Sequence, residues 1–129
     1  MSALALILAS RGYTVSGSDT RNTKNIQALI SSGVKVFKTQ EASTINELCK
    51  AHKKKPRVVV STAIRSNNVE LRAAIEAGLE VWHRSEVLAA LAKDQKCIAI
   101  AGTHGKTTTS TILSTLLGLT GQDPSIAIG

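Results

Sequence analysis

Gly102, Thr103, His104, Gly105, Lys106, Thr107 and Thr108 combine residue types and spacing suited to holding phosphate. Two glycines let a backbone come close enough for its N–H groups to face phosphate oxygens. Lys106 supplies a point charge for terminal phosphates, and the Thr107 hydroxyl can ligate Mg²⁺. An apolar run over 97–101 leads into the loop and a helix-like segment follows, whose positive N-terminal end would add to the attraction. The spacing is Gly-x-x-Gly-Lys-Thr, shorter than the common Gly-x-x-x-x-Gly-Lys-Ser/Thr loop, because Ile100 stands where the first glycine would be. A threonine-rich strand–turn–helix junction would give some of these features. Loop, lysine, hydroxyl and flanking elements together favour a nucleotide phosphate site.

Three other places could bind a ligand. Asp19 ends the first expected strand, where doubly wound sheets put the acidic residue that bonds a ribose hydroxyl; a helix or turn cap explains it equally well. Ser61, Thr62, Ala63, Ile64 and Arg65 leave the carboxyl end of the strand Val58-Val59-Val60, and turn chemistry is the competing account of their hydroxyls. His83 and Arg84 follow another strand in the same way, with a capping surface pair as the alternative. His104 sits inside the loop, where its imidazole could contact a phosphate or orient the backbone. No His, Cys and carboxylate set has metal-ligand spacing, and no Ser-His-Asp arrangement can be argued.

The elements that would position these residues alternate. Helices are expected over 1–11, 25–32, 45–51, 68–77, 85–91 and 107–117, with Ser85 as an N-cap and glycines 12, 33, 78, 118 and 121 as stops. Strands are expected over 13–17, 34–37, 58–60, 79–82, 97–101 and 125–128. The first helix is apolar nearly all round and is expected to be covered on most sides. This order predicts an α/β fold with a largely parallel sheet, and the charged break Lys93-Asp94-Gln95 is the expected domain boundary.

Composition sets the limits. The 129 residues are 43% apolar, enough for a core, but only 2% aromatic, so that core must be aliphatic. The net charge of +7 favours anionic partners. Without interleaved aromatics there is no base-stacking platform, so nucleic acid is not expected, and Lys53-Lys54-Lys55 reads as a solvated turn. Cys49 and Cys97 stand in no redox or metal spacing and fit a reducing cytoplasm, with Cys97 expected to be buried. The apolar stretch over 3–9 lacks the basic start of a signal peptide, and no segment reaches the ~20 apolar residues of a membrane span, so no membrane insertion is expected.

The stretch from Ala101 to Thr109 resembles the ATP-binding loop of the Mur ligases, which build the peptide stem of bacterial cell-wall precursors. Met1-Ser2-Ala3-Leu4-Ala5 with Val15-Ser16-Gly17-Ser18-Asp19, Ser61 to Ile64 with Asn68-Val69-Glu70, and His83-Arg84-Ser85-Glu86-Val87-Leu88 extend the resemblance over essentially the whole chain. His104 is similar to the loop of the branch that acts on UDP-N-acetylmuramate and L-alanine; a branch that recycles murein tripeptide also carries histidine there.

The resemblance implies a Rossmann-like parallel sheet with flanking helices over 1–94, binding a UDP-sugar, and the first strand, loop and helix of a P-loop ATPase domain over 95–129. It implies ATP and Mg²⁺ as cofactors and amide formation through an acyl phosphate. Lys106 would be the catalytic residue that neutralises charge on the transferring phosphate, with Thr107 on the metal. Asp19, Ser61, Thr62, Ala63, Ile64, His83 and Arg84 would contact the UDP-sugar. The family's glycine loop and first strand before the Met-Ser-Ala helix, and its later domains, have no counterpart here. The chain is therefore expected to be cut at both ends and inactive alone, which leaves a non-catalytic nucleotide-binding module as a further reading.

Overall fold

The computed structural model describes residues 1–20, 23–93 and 95–128, in two compact units, Met1–Lys93 and Asp94–Gly129. Asp94, in the expected boundary, lies outside the described residues.

The first unit runs α1 (Ser2–Ser10), β1 (Ser16–Ser18), α2 (Lys24–Ser31), β2 (Lys35–Phe37), α3 (Ala42–Ala51), β3 (Val58–Val60), α4 (Val69–Glu76), β4 (Val81–His83) and α5 (Arg84–Ala92). The strands make two parallel pairs, β1 with β2 and β3 with β4, so the single sheet expected from the sequence is here two two-stranded sheets. Helix ends follow local rules. In α2 and α4 the glycine after the cap, Gly33 or Gly78, has φ near +80° or +65°, and the next residue's N–H returns to the last turn (Val34 to Leu29 O, Leu79 to Ala74 O, both 3.0 Å). The residue so placed, Val34 or Leu79, is buried and leads into the following strand. Ile45, Ala74 and Leu79 form the core between α3, α4 and the β3–β4 pair, with Cys49 and Val58 packed against them.

Several expectations need correction. The strand expected over 13–17 forms over Ser16–Ser18 instead, so Ser18 closes it rather than following it. Helix α3 begins three residues early, at Ala42. Helix α1 buries only Leu4 and is half-open elsewhere, not covered on most sides. The lysine run is exposed, as a solvated turn requires.

The second unit holds α6 (Lys106–Leu119). Residues 97–101 and 125–128 are not strands: apolar, β-branched sequence supplies propensity, but a strand exists only where another backbone accepts its hydrogen bonds. Cys97 is accordingly exposed instead of buried. Gly118 lies inside α6, and Gly121 (φ +79°) follows its true end. Helix α6 buries no residue, and Ile112, Leu116 and Leu119 are 57%, 55% and 80% exposed. No helix among the described residues is long and apolar enough to cross a membrane.

Candidate functional site

Within the first unit, the expected contact residues gather at the carboxyl ends of strands. Asp19 directly follows β1, half-buried, and its N–H donates to Phe37 O at 3.0 Å, at the end of β2. The register pairs Val60 with His83, so the segment beginning at Ser61 and the pair His83–Arg84 leave the same end of one sheet at the same level. Ser61 O accepts from the Ile64 N–H at 3.0 Å, closing a turn in which Thr62 and Ala63 are exposed and Ser61 and Ile64 half-buried. Ligands of open parallel sheets bind at this end.

Helix α5 starts one residue ahead of expectation, and its N-cap is His83 rather than Ser85. Nδ1 of His83 accepts from the Ser85 N–H at 3.3 Å and lies 2.7 Å from Ser85 Oγ. The His83 N–H donates to Glu86 Oε2 at 2.5 Å, completing a capping box. Ser85 is the better cap by residue type, but the β4 ladder runs through His83 and sets the start of the helix one step earlier.

Four residues that the sequence reading did not assign to a site, Asn68, Gln40, Ser18 and Glu70, lie at the same ends of the strands. Asn68 caps α4, its Oδ1 accepting from the N–H groups of Glu70 and Leu71 at 3.0 and 3.1 Å. Its amide donates to Gln40 Oε1, in the segment after β2, at 2.9 Å. The Ser18 hydroxyl donates to Glu70 Oε2. An Asn with a Glu two positions on, ahead of an apolar periodic segment, was the available signal for the cap; the bonds to Gln40 and Ser18 span too much sequence to be read locally.

In the second unit, Gly102 to Gly105 form an exposed loop, and Lys106 to Thr108 are the exposed first residues of α6. Gly105 is the N-cap at φ +78°, and no side chain caps the helix. Thr109 is the first residue whose N–H bonds back, to Gly105 O at 2.9 Å, so the amides of Lys106, Thr107 and Thr108 have no intrahelical acceptor. Lys106 Nζ donates to Gly102 O at 2.7 Å and Thr103 O at 3.2 Å, holding the ammonium over the loop. Uncapped amides, a positive-φ glycine and a lysine within reach of the loop backbone fit the phosphates of a nucleotide. Among the described residues no group of three or more His, Cys, Asp or Glu could hold a metal ion.

The chain belongs to the Mur ligase family: the pattern of "Mur ligase family, catalytic domain" matches residues 1–96. That match stops before Gly102, so the phosphate reading of the loop stands on the loop's own residues. The whole chain is similar to proteins named UDP-N-acetylmuramate–L-alanine ligase. It is 54% identical over 129 residues to that of Prochlorococcus marinus (strain MIT 9303), covering 26% of the relative's length. It is 52% identical over 130 residues to that of Synechococcus sp. (strain CC9605), covering 28% of it. The chain thus spans about a quarter of the length of the relatives it matches.

Proposed function

We propose that this chain carries the sugar-nucleotide and ATP-phosphate segments of a ligase that joins L-alanine to UDP-N-acetylmuramate in peptidoglycan precursor synthesis. The observation that carries the reading is identity of about half along all 129 residues to ligases of that name. On this reading residues 1–94 form a Rossmann-like domain and 95–129 begin a P-loop ATPase domain. Two side-chain bonds hold the first unit together: Ser18 on β1 with Glu70 on α4, and Arg11 Nη1 after α1 with Leu91 O in α5 (3.2 Å), each tying an element near one strand pair to an element near the other.

Asp19, Ser61, Thr62, Ala63, Ile64, His83 and Arg84 hold the UDP-sugar at the carboxyl ends of the strands. The amides of Gly102 to Thr108 hold the ATP phosphates, with Lys106 against the transferring group and Thr107 on Mg²⁺. ATP supplies the γ-phosphoryl group. The muramate carboxylate takes it as ADP leaves, and the alanine amine then displaces phosphate from the acyl carbon and gives up a proton. Lys106 lowers the cost of charge on the phosphoryl oxygens as they transfer. Free Cys49 and Cys97 agree with a reducing cytoplasm as the site of this chemistry.

Calorimetry of the chain with UDP-N-acetylmuramate and, separately, with ATP and Mg²⁺ tests the assignment. Both should bind, and Lys106→Ala should abolish ATP binding while leaving the sugar nucleotide untouched. Unchanged ATP affinity would remove the loop from the site. Absence of UDP-sugar binding would remove the strand-end site.

A further inference from the structure

We propose that Glu70 is a positioning residue for the sugar nucleotide: by accepting the Ser18 hydroxyl it fixes the spacing between the two halves of the strand-end site. This rests on the sugar-nucleotide reading above and adds a residue that acts through another one, not on the ligand itself. The site is divided between two strand pairs. Asp19 follows β1 on one pair, while the Ser61–Ile64 turn and His83–Arg84 leave the other. Among the described residues no backbone hydrogen bond joins the two pairs. Ile45 of α3 packs with Ala74 of α4 and with Leu79, which brings the halves together. Apolar contact is non-directional, however, and sets no exact spacing at the ligand end.

Directional bonds do set it. Ser18 is the last residue of β1 and the immediate neighbour of Asp19, and its hydroxyl donates to Glu70 Oε2. Glu70 stands in the first turn of α4, and the α4 cap Asn68 is tied back by its N–H to Arg65 O at 3.0 Å, directly after the Ser61–Ile64 turn. The carboxylate thus links the turn of one half to the strand end of the other. Asn68 makes a second tie from the same cap, to Gln40 after β2 at 2.9 Å. The bond of Arg11 to Leu91 O lies elsewhere, where α1 and α5 finish. A charged acceptor makes the Ser18 bond stronger than a neutral one would. Without it the halves drift, and only the fraction of molecules with the right spacing meets the whole ligand, so apparent affinity falls by that fraction.

Calorimetric titration of UDP-N-acetylmuramate into Ser18→Ala, Glu70→Ala, the double variant and Glu70→Gln tests this, on samples shown folded by circular dichroism. Glutamine keeps an acceptor oxygen for the Ser18 hydroxyl. The expected result is about tenfold weaker binding in each alanine variant and no further loss in the double variant. Glutamine should restore affinity to within about threefold of the unsubstituted chain. A bond that only stabilises the fold would lower the urea midpoint and leave the affinity of the folded chain unchanged. Unchanged affinity in the alanine variants, losses that add in the double variant, or a glutamine variant as weak as Glu70→Ala overturns the proposal. If Glu70→Ala does not fold, Ser18→Ala and Glu70→Gln decide by the same criteria. Failure of the unsubstituted chain to bind the sugar nucleotide overturns the reading on which the proposal rests, whereas binding there with no loss in the variants overturns the positioning alone.

Discussion

The Ser18 hydroxyl donates to the Glu70 carboxylate across 52 residues of sequence, joining the end of β1 to the first turn of α4. Both side chains are half-buried, so the bond is partly withdrawn from water. Ser18→Ala and Glu70→Ala should each destabilise the chain by about 1 kcal/mol. Since each removes the same bond, the double variant should lose clearly less than the sum. Urea unfolding of the four proteins measures this, and strict additivity would mean that the bond contributes nothing.

Asn68 does two jobs, capping α4 and holding Gln40. Asn68→Ala should cost about 1–2 kcal/mol in urea unfolding, while Asn68→Asp keeps the cap acceptor and should recover most of the loss. Equal losses in the two variants would place the stabilisation in the Gln40 contact instead.

Ala74 has no exposed surface and faces Ile45 and Leu79 in the core. A larger side chain must displace its neighbours, so Ala74→Leu should destabilise by about 1–3 kcal/mol. A raised urea midpoint would reveal unfilled space beside α4.

At Gly105 the constraint is the backbone. A Cβ there meets nothing within 4 Å, yet φ is +78°. Gly105→Ala should cost about 1–2 kcal/mol locally by the left-handed penalty, while asparagine, more tolerant of that region, should cost less. The ATP affinity of the chain should follow the same order, glycine above asparagine above alanine. Alanine binding as well as glycine would show that the loop changes shape to hold phosphate.

The alternation of helices and strands in the first unit was legible because its punctuation is local. Gly33 and Gly78 stop helices by their own conformational freedom. The loop from Gly102 was legible for the same reason, since Gly105, Lys106 and Thr107 are consecutive. What escaped depends on distant partners. Ile98 and Ile100 have the side chains of a strand, but pairing is decided by a backbone elsewhere in sequence. The cap by His83 was hidden because ladder register, which is non-local, fixes where α5 starts. Glu70 was quoted within a motif and yet not assigned, because its partner Ser18 lies 52 residues away.

The open row of Ile112, Leu116 and Leu119 on α6 has a colloidal consequence. These three lie one turn apart on a helix whose face buries nothing, so two copies could cover each other there. At low ionic strength the charge of +7 on each 129-residue copy opposes that encounter. In about 1 M salt the screening length falls to about 3 Å, and the repulsion no longer reaches across the gap while apolar attraction remains. Clear at low salt and self-associating at high salt, the protein would invert the usual practice of adding salt to keep a basic protein dispersed.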